Sequence, residues 1–362
     1  METSTLHFLP AKHGDAFFIH CYKGNENGII VVDGGPIQSR NFIVDKIEGL
    51  PQIDLMILTH HDDDHIEGIL NFIRKHRSDV PFPVQKLWVN CARHIDLPIS
   101  TDLTADQANN LADTLTSISK KTSIKWMEYI AEGYNASDIY FADIEVISPT
   151  ENILTKYIAE YEKRNHIQPS VSAVDLSSKR GENDLGIDLL TLSIRKKKMP
   201  NPENYNELVN MASIAFILRC DGLSILMLGD SFPQNVEAYL QNKGYNKEHK
   251  LEVDFVKVSH HGSHNNISND LLDMIKCNNY IISTNGGQGK SNHPDRETIA
   301  NILCHPERNM AESIHLYFNY ELSFIQQNGN ILFNEGELAH FNCIIHEPDE
   351  NTVKNDYRIF TS

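Results

Sequence analysis

The run Thr59-His60-His61-Asp62-Asp63-Asp64-His65 constrains this chain more than any other segment. It gathers three imidazoles and three carboxylates directly after the apolar stretch Leu55-Met56-Ile57-Leu58, which reads as a buried strand. Carboxylates this close repel one another unless a cation lies among them, so an acidic helix cap with incidental histidines explains the run poorly. Imidazole nitrogen and carboxylate oxygen are ligands for zinc, manganese and iron. His60, Asp62, Asp64 and His65 stand in an H-x-[H/D]-x-D-H spacing that can serve two ions.

The spacing predicts a local geometry. A strand fixes His60 at its carboxyl end, the acidic turn points Asp62 back toward the same pocket, and Asp64 opens a helix whose first turn carries His65. His60 and Asp62 would then hold one ion, Asp64 and His65 the other. Ile66, Ile69, Leu70 and Ile73 recur at helical spacing, so this helix packs through an apolar face and keeps the ligands rigid.

Further short segments follow in order: Gly14-Asp15-Ala16, Val32-Asp33-Gly34-Gly35, Leu228-Gly229-Asp230, Val258-Ser259-His260-His261-Gly262-Ser263 and Asn292-His293-Pro294. With the first run, they resemble the metallo-β-lactamase superfamily and are similar to one branch of it, the ComEC-type hydrolase domain of DNA-uptake channel proteins. The resemblance covers roughly residues 5 to 95 and 210 to 305. Each segment is weak alone, and the ordered set is strong. It implies an α/β chain folded as an αββα metallo-β-lactamase sandwich, with helical and loop insertions at about 96–138 and 150–210 and a β-rich carboxyl-terminal addition. Residues 1–305 would form the hydrolase domain, and 306–362 an extension packed on it. Alternating segments fit this: Leu6 to Leu9, Ala16 to Cys21, Gly28 to Val32 and Lys86 to Asn90 read as strands, and Cys220-Asp221-Gly222 as a hairpin turn. Asn165 to Asn206, including Ser177 to Asn183, lacks clear periodicity and reads as a long covering loop.

The remaining ligands come from distant segments. Asp230 follows the apolar run Leu223 to Leu228 and, by resemblance, bridges the two ions, although an aspartate here could also cap a helix starting near Phe232. Of His260 and His261, the resemblance favours His260 as the metal ligand, with His261 turned toward substrate or a carboxylate; the reverse fits the residues nearly as well. His293 would face the pocket as a substrate contact or proton donor, and an ordinary surface turn explains it almost as well. Asp33 ends an apolar strand where it can orient a ligating histidine, and Asp15 either does the same or starts its strand. Many superfamily members have histidine in place of Asp62 and a further histidine before the bridging aspartate, whereas this chain offers only His76, His94 and His166 between 66 and 210. The first ion would be short of a ligand. Asn210-Met211-Ala212-Ser213 resembles the N-x-x-S segment of the ComEC-type branch, so Asn210 or Ser213 would meet substrate or water. Two zinc ions are expected, and manganese also suits a carboxylate-rich site.

Composition narrows the partners. With 32 basic against 49 acidic residues and a net charge of -17, the chain is poorly suited to neutralising a long polyanion. The one basic run, Arg195-Lys196-Lys197-Lys198, reads as a solvated loop face rather than a phosphate patch. Six cysteines without C-x-x-C spacing give no disulfide scaffold. No apolar run approaches the ~20 residues a bilayer span needs, and no leader precedes the first strand, so a soluble cytoplasmic protein without membrane contact is expected. In this the chain departs from ComEC-type proteins, and a DNA-uptake role does not carry over. The expected function is a metal-dependent hydrolase, a phosphodiesterase or nuclease using a metal-bound hydroxide on a small phosphoester or short nucleic acid. Asp64 would orient the nucleophile, and His261 or His293 would protonate the leaving oxygen. A carboxylic ester, lactone or lactam hydrolase remains open on the same scaffold, as does a metal-stabilised effector subunit meeting a partner protein through its insertions.

Overall fold

Apolar runs flanked by turn residues become strands, and the amphipathic stretches between them become crossover helices. The computed structural model describes residues 3–95, 110–164, 187–287, 292–327, 331–348 and 357–360. The first half runs β1 (Thr5–Phe8), β2 (Phe17–Lys23), β3 (Glu26–Val32), α1 (Arg40–Glu48), β4 (Ile53–Leu58), α2 (Asp63–His76), β5 (Val84–Val89), α3 (Leu111–Ser119) and β6 (Lys125–Met127). The second begins with β7 (Asp143–Ser148), α4 (Glu151–Arg164), α5 (Leu189–Ser193), α6 (Tyr205–Met211), β8 (Ala215–Cys220), β9 (Leu223–Met227) and α7 (Pro233–Asn242). It continues through β10 (Leu251–Glu252), β11 (Phe255–Lys257), α8 (Asn269–Asp273), β12 (Ile275–Lys276), β13 (Asn279–Ile282), α9 (Arg296–Leu303), β14 (Ile314–Phe318), α10 (Leu322–Ile325), α11 (Glu337–His340), β15 (Cys343–His346) and β16 (Tyr357–Phe360).

Two seven-stranded sheets result, ordered β16-β1-β2-β3-β4-β5-β6 and β15-β14-β13-β11-β9-β8-β7. Each passes from antiparallel pairing to a parallel run. In the first the change comes at β3, in the second at β9. Parallel neighbours require crossovers, and those crossovers put helices on the outer faces. Between the sheets, Leu6, Phe17, Ile30, Ile57 and Trp88 meet Phe216, Ile225, Met227, Phe255 and Ile281. Outside, Ile43, Ile69 and Leu115 of α1, α2 and α3 cover the first sheet, while Leu192, Val236, Leu271 and Ile299 of α5, α7, α8 and α9 cover the second. The fold is the αββα sandwich expected from the sequence.

The chain beyond residue 305 supplies edges to both sheets. β14 and β15 extend the parallel part of the second sheet, and β16 pairs antiparallel with β1. An unpaired strand edge is an aggregation hazard, and these additions move the edges away from the central strands. Ile331 to Phe333, within the carboxyl-terminal addition expected to be β-rich, is irregular. The second insertion contributes α4, α5 and α6, with Leu189 and Leu192 sharing a core with Ile299 and Ile302 of α9. These helices around 190 and 205 are too short to show a period in sequence. Residues 96–109 of the first insertion and 165–186 of the second, including Ser177 to Asn183, lie outside the described residues. Among the described residues, no helix is long and apolar enough to cross a membrane.

Candidate metal centre

Every candidate ligand lies just past the carboxyl end of a parallel strand, where open α/β sheets place their ligands. Asp33 follows β3, His60 to His65 follow β4, Asp230 follows β9, and His260 and His261 follow β11. Two edges, one from each sheet, therefore face one pocket.

The β4–α2 junction begins with Asp62 as an extended N-cap (φ -66, ψ 145), its carbonyl accepting from the amides of His65 (2.9 Å) and Ile66 (3.2 Å). The helix starts at Asp63, one residue before the expected Asp64. Acidic residues in this first turn suit the positive end of the helix dipole. The helix lies directly on the Asp33–Gly35 turn: a Cβ on Gly68 would fall 2.1 Å from Gly34 O, and one on Gly34 would fall 2.4 Å from Ile69 N. Only glycine at both positions allows the approach that brings His65 over Asp33. There His65 Nδ1 donates to Asp33 Oδ2 at 2.8 Å, leaving Nε2 turned into the pocket. Asp33 also accepts from the Thr59 amide and hydroxyl, each at 2.8 Å. Because that hydroxyl donates to Asp33, it can accept from His60 Nδ1 at 3.0 Å, which aims His60 Nε2 inward as well. A single carboxylate thus orients two imidazoles.

From the other sheet, Asp230 projects between them. Its Oδ1 lies 3.4 Å from His65 Nε2, and its Oδ2 lies 3.8 Å from His60 Nε2, 3.7 Å from His260 Nε2 and 3.8 Å from His261 Nε2. Asp62 Oδ2 is 3.7 Å from His60 Nε2, and Asp64 Oδ1 is 3.8 Å from His65 Nε2. His261 Nδ1 donates to Ser283 O at 2.9 Å, which directs Nε2 to within 3.1 Å of Asp64 Oδ2. Ligand atoms of His60, His65 and Asp230, and separately of Asp64, His65 and His261, lie within 4.8 Å of one another. The geometry therefore brings His261 as well as His260 among the ligand atoms. His260 (φ 48) and His261 (φ 53) are both left-handed, followed by Gly262 at φ 89. Such a conformation costs a non-glycine residue about 1 kcal/mol or more, and it persists only where surrounding contacts impose it. Here Gly262 O accepts from Asp295 N (2.9 Å) and Thr298 Oγ1 (2.7 Å), clamping the turn to the start of α9.

Beneath the pocket lies Lys257, fully buried, which sequence inspection passed over. Its ammonium pairs with Asp15, donates to Gly229 O at 2.9 Å and stands 3.7 Å from Asp230 Oδ1. The available signal was a lone lysine inside the otherwise apolar Phe255-Val256-Lys257-Val258. Burial would raise the Asp15 pKa, but Lys257 and His261 outweigh it and hold the carboxyl at about 2. Burial likewise opposes the charge on His261, yet Asp230, Asp15 and Asp64 raise its pKa to about 10. His65 is raised for the same reason, by Asp230, Asp64 and Asp33 against its burial. Protons thus occupy, in the metal-free protein, the positions where carboxylates demand positive charge.

The other candidates fall around this core. His293 is buried with its ring 5.4 Å from that of His260, and its Nδ1 is 3.4 Å from Asp295 Oδ2. Asp295, also missed from sequence, further accepts from the His264 amide at 2.9 Å. Ser213 is fully buried, and its hydroxyl accepts from Asp230 N at 3.0 Å and lies 3.4 Å from His60 Nδ1, so it touches two of the candidate ligands. In the basic run, Arg195 bonds Glu297, Lys197 bonds His264 O and Asn301, and Lys198 bonds Glu207. Those cations neutralise the protein's own acids and acceptors.

Among solved structures, CmlA, a diiron β-hydroxylase from Streptomyces venezuelae, is 13% identical with a TM-score of 0.38 over 99% of this chain and 54% of that one. A long form RNase Z from yeast is 13% identical with a TM-score of 0.34 over 77% of this chain and 37% of that one. The chain thus spans about half the length of the hydroxylase and somewhat over a third of the RNase Z. No curated protein matches the sequence. Residues 10–99, which hold Asp15, Asp33 and the whole His60–His65 run, match the family model of the metallo-beta-lactamase superfamily.

Proposed function

We propose that the protein is a dinuclear metal-dependent hydrolase acting on phosphodiesters. The observation that carries this is a convergence of orphaned donors: His60 Nε2, His65 Nε2 and Asp230 Oδ1 are buried, close together and without a hydrogen-bond partner among the described residues. Buried polar atoms are otherwise almost always satisfied, and nitrogen with carboxylate oxygen is the donor set that zinc takes. Charge supports two ions. Among the described residues, Asp15, Asp33, Asp62, Asp64 and Asp230 surround a single ammonium, Lys257, so with neutral imidazoles the excess matches two divalent cations. His60, Asp62 and His260 would hold one ion, Asp64, His65 and His261 the other, with Asp230 shared. His260 would thereby fill the place for which the interval 66–210 offers only His76, His94 and His166. Zinc suits the imidazoles, and manganese fits where carboxylates dominate.

When bound, such ions supply an acidified water and polarise the ester being cleaved. The chain does the rest. Asp33 and Thr59 fix the two imidazoles, and Asp64 at the helix start orients the attacking water. His293, positioned through Nδ1 by Asp295, gives its proton to the leaving oxygen, a role worth about 100-fold to 10,000-fold in rate. The branch resemblance of the later segments favours a phosphodiester, and the engagement of Arg195, Lys197 and Lys198 within the protein favours a short one. Metal analysis followed by phosphodiester, phosphomonoester and lactone substrates tests the reading. About two ions per chain and turnover of the phosphodiester alone are expected; a metal-free protein, or lactone turnover instead, defeats it.

A further inference from the structure

Two cysteines far apart in the chain meet where the sheets face each other. Cys21 lies near the end of β2 and Cys220 at the end of β8, and both side chains join the core between the sheets. Their thiols are hydrogen-bonded, Cys21 donating to Cys220. The backbone holds them there. The Asp221 amide donates to Tyr22 O at 2.6 Å and the Gly24 amide to Asp221 Oδ2 at 2.8 Å, so the turn after β8 is bonded to the turn after β2. Cys21 pairs with Gly28 and Cys220 with Leu223, whereas Phe17 with Val32 and Phe216 with Met227 close the ladder ends that lead to Asp33 and Asp230. The cysteines therefore sit at the end of the strands away from the candidate metal centre.

The two thiols are not equivalent. Cys21 is buried, and its bond to Cys220 together with that burial raises its pKa well above the ordinary thiol value. The same bond, with others from the Ser4 hydroxyl and the Tyr22 backbone, lowers the pKa of the half-buried Cys220 against its own desolvation. Burial moves the remaining cysteines the other way, Cys91, Cys277 and Cys343 to about 12 and Cys304 to about 11. Thiolate is the reactive form, so an oxidant meets Cys220 first and Cys21 stands ready to resolve the adduct. We propose that Cys21 and Cys220 form a reversible disulfide, a redox-controlled staple between the two sheets, by exchange with a low-molecular-weight disulfide such as oxidised glutathione. The Cys220 thiolate attacks one sulfur of that disulfide, giving a mixed disulfide and one glutathione thiolate, which takes up the proton Cys220 lost. Cys21 then gives up its proton and attacks Cys220 Sγ, expelling the second glutathione, which is protonated in turn. Two protein thiols are oxidised and one glutathione disulfide is reduced to two thiols. The sulfurs, already in contact, need only close to about 2 Å. Because the bond joins residues 21 and 220, it closes a long loop, the arrangement that most restricts the unfolded chain. Nothing in this depends on which reaction the metal centre performs.

The test is incubation of the folded, reduced full chain with oxidised glutathione, followed by mass spectrometry of the intact protein and of its peptides. Two of the six thiols should be lost with the mass of two hydrogen atoms, and a cross-link should join the peptides carrying Cys21 and Cys220. Dithiothreitol should reverse both changes, and the oxidised form should melt about 5 °C higher than the reduced one. Cys21→Ala is expected to stop at the mixed disulfide with one glutathione retained on Cys220, and Cys220→Ala to retain none. A folded parent that keeps all six thiols overturns the staple. So does a glutathione adduct that persists on Cys220 of the parent, because Cys21 then fails to reach it. A cross-link that forms equally fast in urea, or one that leaves the melting midpoint unchanged, overturns it as well, since neither then owes anything to the meeting of the sheets.

Discussion

The two sides of the candidate metal pocket are built by different means. The first-sheet side is one contiguous run at the β4–α2 junction, where a helix cap, a glycine-to-glycine contact and the Asp33–Thr59 pair set the candidate ligands. The second-sheet side is assembled from the turns after β9 and β11, held in left-handed conformations by α9 and by the buried Lys257. The first side is local and stiff, and the second depends on the rest of the fold. Damage to the first should therefore appear mainly in chemistry, and damage to the second in stability and metal content.

The largest effect is expected at Asp64. Asp64→Ala removes a proposed ligand and the water-orienting group at once, so turnover should fall by more than the roughly 10- to 100-fold typical of losing an outer partner, with the thermal transition little changed. Near-parental turnover would remove the helix start from the chemistry.

On the other side, Lys257→Met strands Asp15 in the interior. Breaking a buried pair costs about 3–5 kcal/mol, measurable by urea unfolding, and Asp15→Asn added to it should recover much of the loss. An unchanged midpoint would mean that Lys257 does not support the second-sheet side.

Smaller still, His260→Ala and His261→Ala should each lower metal content from about two ions toward one, read by elemental analysis. Two ions retained in His261→Ala would return that residue to the substrate-facing role favoured from sequence.

Protonation offers a gentler probe. Because the His261 pKa is raised to about 10 and that of His65 is also raised, both contribute stability to the metal-free protein that is complete below about pH 6.5. It fades as pH climbs toward 10. The metal-free protein should lose unfolding free energy over that window and the zinc-loaded protein much less, because the ions replace the protons. Parallel curves for the two forms would break the link between those protons and metal binding.

Smallest of all should be the effect of salt. A protein neutralising many phosphates loses affinity roughly 1,000-fold or more between 50 and 200 mM salt, whereas one or two phosphates held at ions should change the apparent Michaelis constant far less. A steep response would point to a nucleic-acid groove.

Much was legible in the residues alone. The apolar runs that make β1 to β5, the helix of Ile66, Ile69 and Leu70, the Asp221–Gly222 hairpin and the gathering of imidazole and carboxylate at His60 to His65 all arise from spacings of a few residues. Short-range period and capping encode such features directly. Tertiary structure decided what no spacing carries. It brought His261 up to Asp64, buried Lys257 against Asp15, spent Arg195, Lys197 and Lys198 on internal partners and sent the last strands to both sheet edges. It also set Cys21 of one sheet against Cys220 of the other. Each of these is a meeting of residues far apart in the chain, fixed by how sheets and helices pack, and packing depends on every element at once rather than on the neighbours of any one residue.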